Sequence, residues 1–132
     1  MRALYFALAT AFALGGALAL EAEEGKPEAI RTILEHHDQS GVPGKEIVIG
    51  TATLPKGSSV GFHTHPGDEA GYVVRGTLLL KTRGQRDRVL HAGDSFFNPQ
   101  GAIHSLQAPD SEGLAVSSWI VDKGAPLATP VP

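Results

Sequence analysis

The chain has 132 residues, no cysteine, 42% hydrophobic residues and a formal net charge of −3. This length is typical of one domain and leaves no room for a second core of ordinary size. The lack of cysteine excludes disulfides, thiolate metal sites and thiol catalysis, and the slightly acidic balance argues against a nucleic-acid partner.

The first 19 residues have the pattern of a secretory signal peptide. Arg2 precedes an uncharged apolar run that ends in Ala17-Leu18-Ala19, an A-x-A cleavage pattern. A membrane anchor is the alternative, because the run is nearly long enough to span a bilayer, and Ala22 offers a second cleavage site. We favour cleavage, because small residues stand where a signal peptidase needs them. The mature protein would then be secreted or periplasmic, with no stable membrane association.

The mature chain divides into three parts. Residues 20–44 form a lead-in, in which "AIRTILEHHDQSG" fits either a short helix or an edge strand. Residues 45–121 contain short β-rich runs separated by glycine and proline, a pattern that indicates an antiparallel sandwich or barrel, the jelly-roll type included. Residues 122–132 are a proline-rich tail, which we expect to be extended and either to lie along the domain or to be mobile.

The stretch "HTHPGDE" places two histidines and a carboxylate within seven residues. In a strand His63 and His65 lie on the same face, so that both imidazoles can share an ion. Pro66-Gly67-Asp68 predicts a turn. Glu69 then opens the next strand, and if its carboxylate points inward, so does Gly71, which would leave free volume beside the ion.

A third histidine, His104, follows a turn predicted at Pro99 and Gly101 and enters a strand. Three imidazoles and one carboxylate suit divalent first-row metals such as iron, manganese, cobalt, nickel, copper or zinc. A six-coordinate ion with these four ligands keeps two positions for substrate or water, whereas a four-coordinate zinc would be closed and structural.

Two stretches resemble the two sequence motifs of the cupin family. From Gly57 to Gly76 the pattern is glycine, five residues, His63, one residue, His65, three residues, Glu69, six residues and glycine. From Gly93 to His104 it is glycine, five residues, Pro99, one residue, Gly101, two residues and histidine. The departure is Ala108, where the family usually has asparagine, a residue that is not a metal ligand there.

The resemblance covers residues 45–121 and implies an all-β cupin jelly-roll barrel of short antiparallel strands. It also implies one metal ion held by His63, His65, Glu69 and His104, and a homodimer, since cupins commonly dimerise through one sheet. Cupins with such sites include dioxygenases, decarboxylases and isomerases. The resemblance therefore favours an exported metal-dependent enzyme that acts on a small molecule.

Two other functions remain open: a non-catalytic module that binds a small ligand or the metal, and a structural metal site. The sequence identifies no catalytic residue outside the four ligands.

We interpret His36, His37 and His91 as surface residues and Asp68 as an exposed turn residue. The aromatic residues are expected in the core or an interface, with one or two at a pocket mouth; they are Phe62, Tyr72, Phe96, Phe97 and Trp119.

Overall fold

A computed structural model describes residues 25–132, which form ten strands and no helix. The strands, in chain order, are β1 (Ile30–Asp38), β2 (Lys45–Leu54), β3 (Ser59–Thr64), β4 (Gly67–Arg75), β5 (Thr77–Thr82), β6 (Arg88–His91), β7 (Ser95–Asn98), β8 (His104–Gln107), β9 (Gly113–Asp122) and β10 (Thr129–Pro130). Over this part of the chain, nothing helical is long and apolar enough to cross a membrane. The predicted signal peptide, residues 1–19, lies outside the described residues.

The strands form two five-stranded sheets in which all neighbours are antiparallel. The first sheet has the order β1-β2-β9-β4-β7, and the second has the order β10-β3-β8-β5-β6. Strands that are far apart in sequence therefore pair, as β2 does with β9, and consecutive strands such as β3 and β4 belong to different sheets. This arrangement confirms the predicted all-β jelly roll.

Residues 30–38, which the sequence left between helix and edge strand, form the edge strand β1. The strand pairs with β2 from Ile30–Thr53 to Asp38–Glu46, with an irregularity between Ile33 and Glu35. Gly50 on β2 permits the close approach, because a Cβ atom there would lie 2.7 Å from the Thr32 carbonyl oxygen. The first sheet thus includes residues that precede position 45.

Along β4 the inward-facing residues change from the polar Glu69 to the apolar Val73. On β4, Gly67, Glu69, Gly71 and Val73 are buried while their neighbours are exposed, so the predicted inward direction of Glu69 is confirmed. Val73 lies at the apolar end of the barrel, where the core consists of Leu54, Val73, Leu78, Leu80, Leu90, Phe96, Leu106, Ala108 and Ala115. Each fully buried leucine there contributes about 1.5–3 kcal/mol to the stability of the fold. This core thereby supports the other end of the barrel, where the buried residues are polar.

The turn predicted at Pro66-Gly67-Asp68 is wrong. β3 and β4 lie in different sheets, so the chain crosses between them through His65 and Pro66 and does not reverse in a hairpin. Gly67 already belongs to β4 and pairs with Val121. A Cβ atom at Gly67 would lie 1.8 Å from the Ile120 carbonyl oxygen, so this glycine is required by close strand packing.

The C-terminal tail lies along the second sheet. β10 pairs with β3 through Thr129–Thr64 and Pro130–His63. The Val131 amide then donates to the Phe62 carbonyl at 2.9 Å. These contacts bring the tail beside the strand that carries the first predicted metal ligand.

Candidate metal centre

Three buried histidines converge at the polar end of the barrel. His63 and His104 are opposite each other on β3 and β8, with ring centroids 4.3 Å apart, and His65 follows β3 directly. One nitrogen from each ring can be chosen so that all three lie within 4.8 Å of one another. Three buried histidines in this arrangement could hold a metal ion.

Glu69 reaches the same point from the facing sheet. Its Oε1 lies 3.2 Å from His104 Nε2 and its Oε2 lies 3.5 Å from His65 Nε2. Asn98, opposite Glu69 on β7, donates a hydrogen bond to Oε1 at 2.6 Å. The structure therefore brings together all four side chains that the sequence singled out as ligands.

Backbone carbonyl groups fix the orientation of all three imidazoles. His63 Nδ1 lies 2.7 Å from the Gly61 oxygen, His65 Nδ1 lies 2.6 Å from the Leu127 oxygen, and His104 Nδ1 lies 3.0 Å from the Ala102 oxygen. A carbonyl oxygen can only accept a hydrogen bond, so each Nδ1 is assigned a proton and acts as the hydrogen-bond donor. In the neutral form of each ring, Nε2 then carries the lone pair and directs it into the site.

These lone pairs favour a cation between them. His63 Nε2 and His65 Nε2 are 3.2 Å apart, and two unprotonated nitrogens at that distance repel each other. His104 Nε2 is buried and makes no hydrogen bond within the described chain. Two ligands that are each ~2.1 Å from one ion lie about 3.0–3.5 Å apart, which matches the nearest contacts of the cluster. The residues therefore fit a metal ion.

The charges of the site agree with this interpretation. Burial lowers the pKa of His63 to about 4, against a smaller opposing effect of its hydrogen bond to Gly61, so this ring is neutral near pH 7. Burial on its own would raise the pKa of Glu69, but the contacts with His104, His65 and Asn98 outweigh it and hold the pKa far below its usual range. His63 thus offers a neutral nitrogen and Glu69 an anionic oxygen, the protonation states that a metal needs from these two groups.

A cavity of about 340 Å³ opens beside the four side chains. Its other walls are mainly apolar and include Ile33, Val60, Leu80, Phe96, Leu106, Trp119 and Leu127. The free volume expected beside Gly71 is absent, because the Phe96 ring fills it: a Cβ atom on Gly71 would lie 2.0 Å from Phe96 Cζ. The cavity lies elsewhere, and its size is that of a pocket for a small molecule.

Trp119 connects the cavity to the histidines. This residue lies opposite Glu69 on β9, and its indole Nε1–H donates to His65 Nε2 at 3.2 Å. The same lone pair of His65 faces the proposed ion. A bound metal and the indole therefore compete for this nitrogen.

The residues predicted to lie outside the site are outside it. His37 is exposed and contacts Glu35, and His36 pairs with Glu46 at 2.9 Å. His91 is exposed. Asp68 is also exposed and accepts a hydrogen bond from the Gln100 amide, so it has no contact with the histidines.

Sequence reasoning missed three contributors to the site, Asn98, Leu127 and Arg31, and named Trp119 only as one of five aromatic residues, of which one or two were expected at a pocket mouth. Asn98 carries a local signal, since it lies two residues after the buried Phe96 and therefore on the same face of β7, but its contact with Glu69 depends on strand register. The Leu127 carbonyl lies 62 residues from the histidine that it orients, and Trp119 and Arg31 reach the cavity from distant strands. Ala108, the departure from the cupin pattern, is a fully buried core residue whose backbone pairs with Gly57 and Ser58.

Comparison with a family model matches residues 50–121 to the model described as "Cupin domain". The chain is 31% identical over 77 residues to dimethylsulfoniopropionate lyase DddQ of Ruegeria pomeroyi, an alignment that covers 58% of this chain and 38% of the relative. It is 40% identical over 67 residues to the oxalate-binding protein of Thermotoga maritima, covering 48% of this chain and 54% of the relative. The chain thus spans about half or less of the length of these curated relatives.

Solved structures share the fold. The crystal structure of DddQ from Ruegeria pomeroyi superposes with a TM-score of 0.66 at 23% identity, covering 78% of this chain and 51% of that one. A cupin-like protein from Thermotoga maritima gives a TM-score of 0.64 at 24% identity, covering 78% and 75% of the two chains. At these identities the likeness establishes the fold and nothing further.

Proposed function

The chain belongs to the cupin family, and we propose that it is an exported metal-dependent enzyme acting on a small molecule. One divalent transition-metal ion would be held by His63, His65, Glu69 and His104. One observation carries the proposal. Each of the three histidine rings has its Nδ1 at a backbone carbonyl oxygen, so that the three Nε2 lone pairs converge. Iron, manganese, nickel, copper and zinc all suit this set of donors.

When bound, the ion would supply Lewis-acid or oxygen-activating chemistry at positions that the protein leaves open. The chain's own residues have three tasks. The backbone carbonyls keep the imidazoles in the ligating tautomer, Asn98 fixes the carboxylate of Glu69, and the mainly apolar walls of the cavity contact the apolar part of a ligand.

A non-catalytic binding module is the second candidate, and the composition of the cavity favours it. Apart from the four proposed ligands, the only titratable side chain among the described residues that line the cavity is Arg31. No separate acid or base therefore stands beside the metal site. Among the relatives, one is named as a lyase and one as an oxalate-binding protein, so similarity does not decide between catalysis and binding.

The ligand set is tested by metal content. We expect the untagged mature chain to be isolated with close to one equivalent of metal by elemental analysis. His104→Ala should reduce metal affinity by more than the roughly 10- to 100-fold that loss of an outer-shell partner causes. The matched control is His91→Ala, which removes an exposed imidazole and should leave the metal content unchanged. Equal metal content in the two variants would refute the assignment.

The coordination number separates the functional alternatives. X-ray absorption on protein isolated from its own compartment should give a six-coordinate ion with bound water if the site is open to substrate. A four-coordinate zinc bound only by protein would make the structural alternative correct and would end the search for catalysis at the metal.

Export rests on the N-terminal sequence. We propose cleavage after Ala19 and a secreted or periplasmic mature protein. N-terminal sequencing of the protein from its native cells should begin at Leu20. An intact Met1 would contradict cleavage and favour the membrane-anchor alternative.

A further inference from the structure

Arg31 is the one cationic side chain, apart from the histidines, among the described residues that line the cavity. It lies on the edge strand β1, opposite Ala52 of β2, and its side chain is exposed at the mouth. An adjoining groove is also lined by Arg31, together with Val60, His63, Ala128 and two charged residues that do not line the cavity itself, Lys26 and Glu28. Arg31 therefore stands where the cavity and this outer groove meet.

The Arg31 guanidinium has no ion-pair partner within the described residues. Several other cations do have one: Lys45 pairs with Asp122, Arg75 with Glu112, and Lys123 with Asp38. The only carboxylate that lines the cavity is that of Glu69, which is already bound by Asn98 and the histidines. The donors of Arg31 are thus free to bind an anion that enters the cavity.

The wall between Arg31 and the histidines is apolar. Ile33 lies on the same strand as Arg31, and Trp119 lies close by, since a Cβ atom on Gly50 would be 3.3 Å from Trp119 Cζ3 and 3.4 Å from Ile33 Cδ1. A ligand that reaches from the mouth to the metal therefore needs an anionic end, a short apolar body and a volume that fits about 340 Å³. A large or strongly polar ligand, such as a sugar chain, does not match these walls.

We propose that the cavity takes small organic-acid anions, and that Arg31 is the residue that selects them by binding the carboxylate at the mouth. This inference deepens the proposed function and rests on it for the metal at the inner end. Planar guanidinium groups bind carboxylates with two parallel hydrogen bonds. The bound ion would add further positive charge to the cavity, which also favours an anionic ligand.

The test is isothermal titration calorimetry of the full mature chain with butyrate and with its neutral analogue, butyramide. Each probe is titrated into zinc-loaded and metal-free protein. The variants are Arg31→Gln, which keeps a polar side chain without charge, and Arg31→Lys, which keeps charge without the planar fork. The control is Arg86→Gln, an identical charge change at an exposed position that does not line the cavity.

We expect zinc-loaded wild-type protein to bind butyrate more tightly than butyramide. Arg31→Gln should weaken butyrate binding roughly tenfold, the effect of losing one charged hydrogen bond. Arg31→Lys should weaken it less, and Arg86→Gln should leave it unchanged. Raising the salt concentration should weaken butyrate binding to the wild type and much less to Arg31→Gln, because an exposed ion pair is screened; a merely structural role of Arg31 would not produce this difference.

Two results would overturn the inference: equal butyrate affinity in wild type and Arg31→Gln, or metal uptake by a chain that binds neither probe. In the first case, butyrate binding that depends on zinc would assign the carboxylate to the metal. A chain that takes up no metal would refute the proposed function instead. In that case the metal-free titrations still decide whether Arg31 selects anions.

Discussion

Removing the C-terminal tail should weaken metal binding without unfolding the domain. A chain that ends at Ala125 loses the Leu127 carbonyl, which accepts the Nδ1–H of His65 at 2.6 Å. It also loses the two-residue pairing of β10 with β3 and the bond from Val131 to Phe62. His65 would then be free to rotate or to change tautomer, so that its Nε2 lone pair no longer points reliably into the site.

The size of the effect follows from these contacts. Loss of the hydrogen-bond partner of a ligating histidine typically weakens metal binding by about 10- to 100-fold. The few backbone hydrogen bonds that are lost contribute about 0.5–1.5 kcal/mol each, so we expect the truncated chain to remain folded with a lower denaturation midpoint.

Two controls isolate the carbonyl. Leu127→Ala retains the backbone acceptor, and removal of only Val131 and Pro132 leaves it in place, so both should bind metal nearly as the wild type does. Zinc affinity is measured by competition with a chelator, and circular dichroism verifies the fold. A folded chain ending at Ala125 with wild-type zinc affinity would refute the role assigned to the tail.

The metal-free protein should lose stability as the pH falls from 6.5 to about 4, because burial lowers the pKa of His63 to about 4 and the unfolded chain then binds more protons than the folded one. The pKa of Glu69 is also lowered, which extends the loss of stability to more acidic pH. Urea denaturation midpoints that do not change between pH 6.5 and 4 would contradict the prediction. Zinc should change the emission of Trp119, the single tryptophan, since the ion takes the nitrogen to which the indole donates; an unchanged spectrum at full zinc occupancy would argue against that competition. The mature protein should be a homodimer at micromolar concentration by light scattering, because Tyr72, Phe97 and Ile120 are exposed on the first sheet; Tyr72→Lys should then dissociate it, and a wild-type monomer would disprove the prediction.

The sequence predicted the parts of the structure that depend on local pattern. Alternation placed His63 and His65 on one face, and the pattern of residues 45–121 predicted a series of short strands, although Gly50 and Gly71 lie inside strands and not between them. That Glu69, Gly71 and Val73 lie on one face followed from the same alternation. Each of these features needs only neighbouring residues to be specified.

What the sequence did not predict depends on which strands pair. The turn predicted at Pro66-Gly67-Asp68 was wrong. Proline and glycine indicate that one strand ends and another begins, but they do not specify whether the next strand pairs with the first or joins the opposite sheet. The volume assigned to Gly71 was wrong because Phe96, from a strand 25 residues further on, packs over it. Asn98 reaches Glu69 only through the register of β4 and β7. Single-sequence patterns carry little information on register between distant strands.

The same distinction separates the proposed metal site from the proposed ligand specificity. All four proposed metal ligands lie within residues 50–121, the part that matches the family. Arg31, Leu127 and Ala128 line the cavity from outside that part, on an edge strand and a tail, and none of the three belongs to the buried core cluster. Side-chain changes at these positions can therefore alter which molecule enters while the backbone carbonyl of Leu127 still orients His65. Relatives that share the barrel over about 70 residues can accordingly hold a metal in the same way and still differ in what they bind.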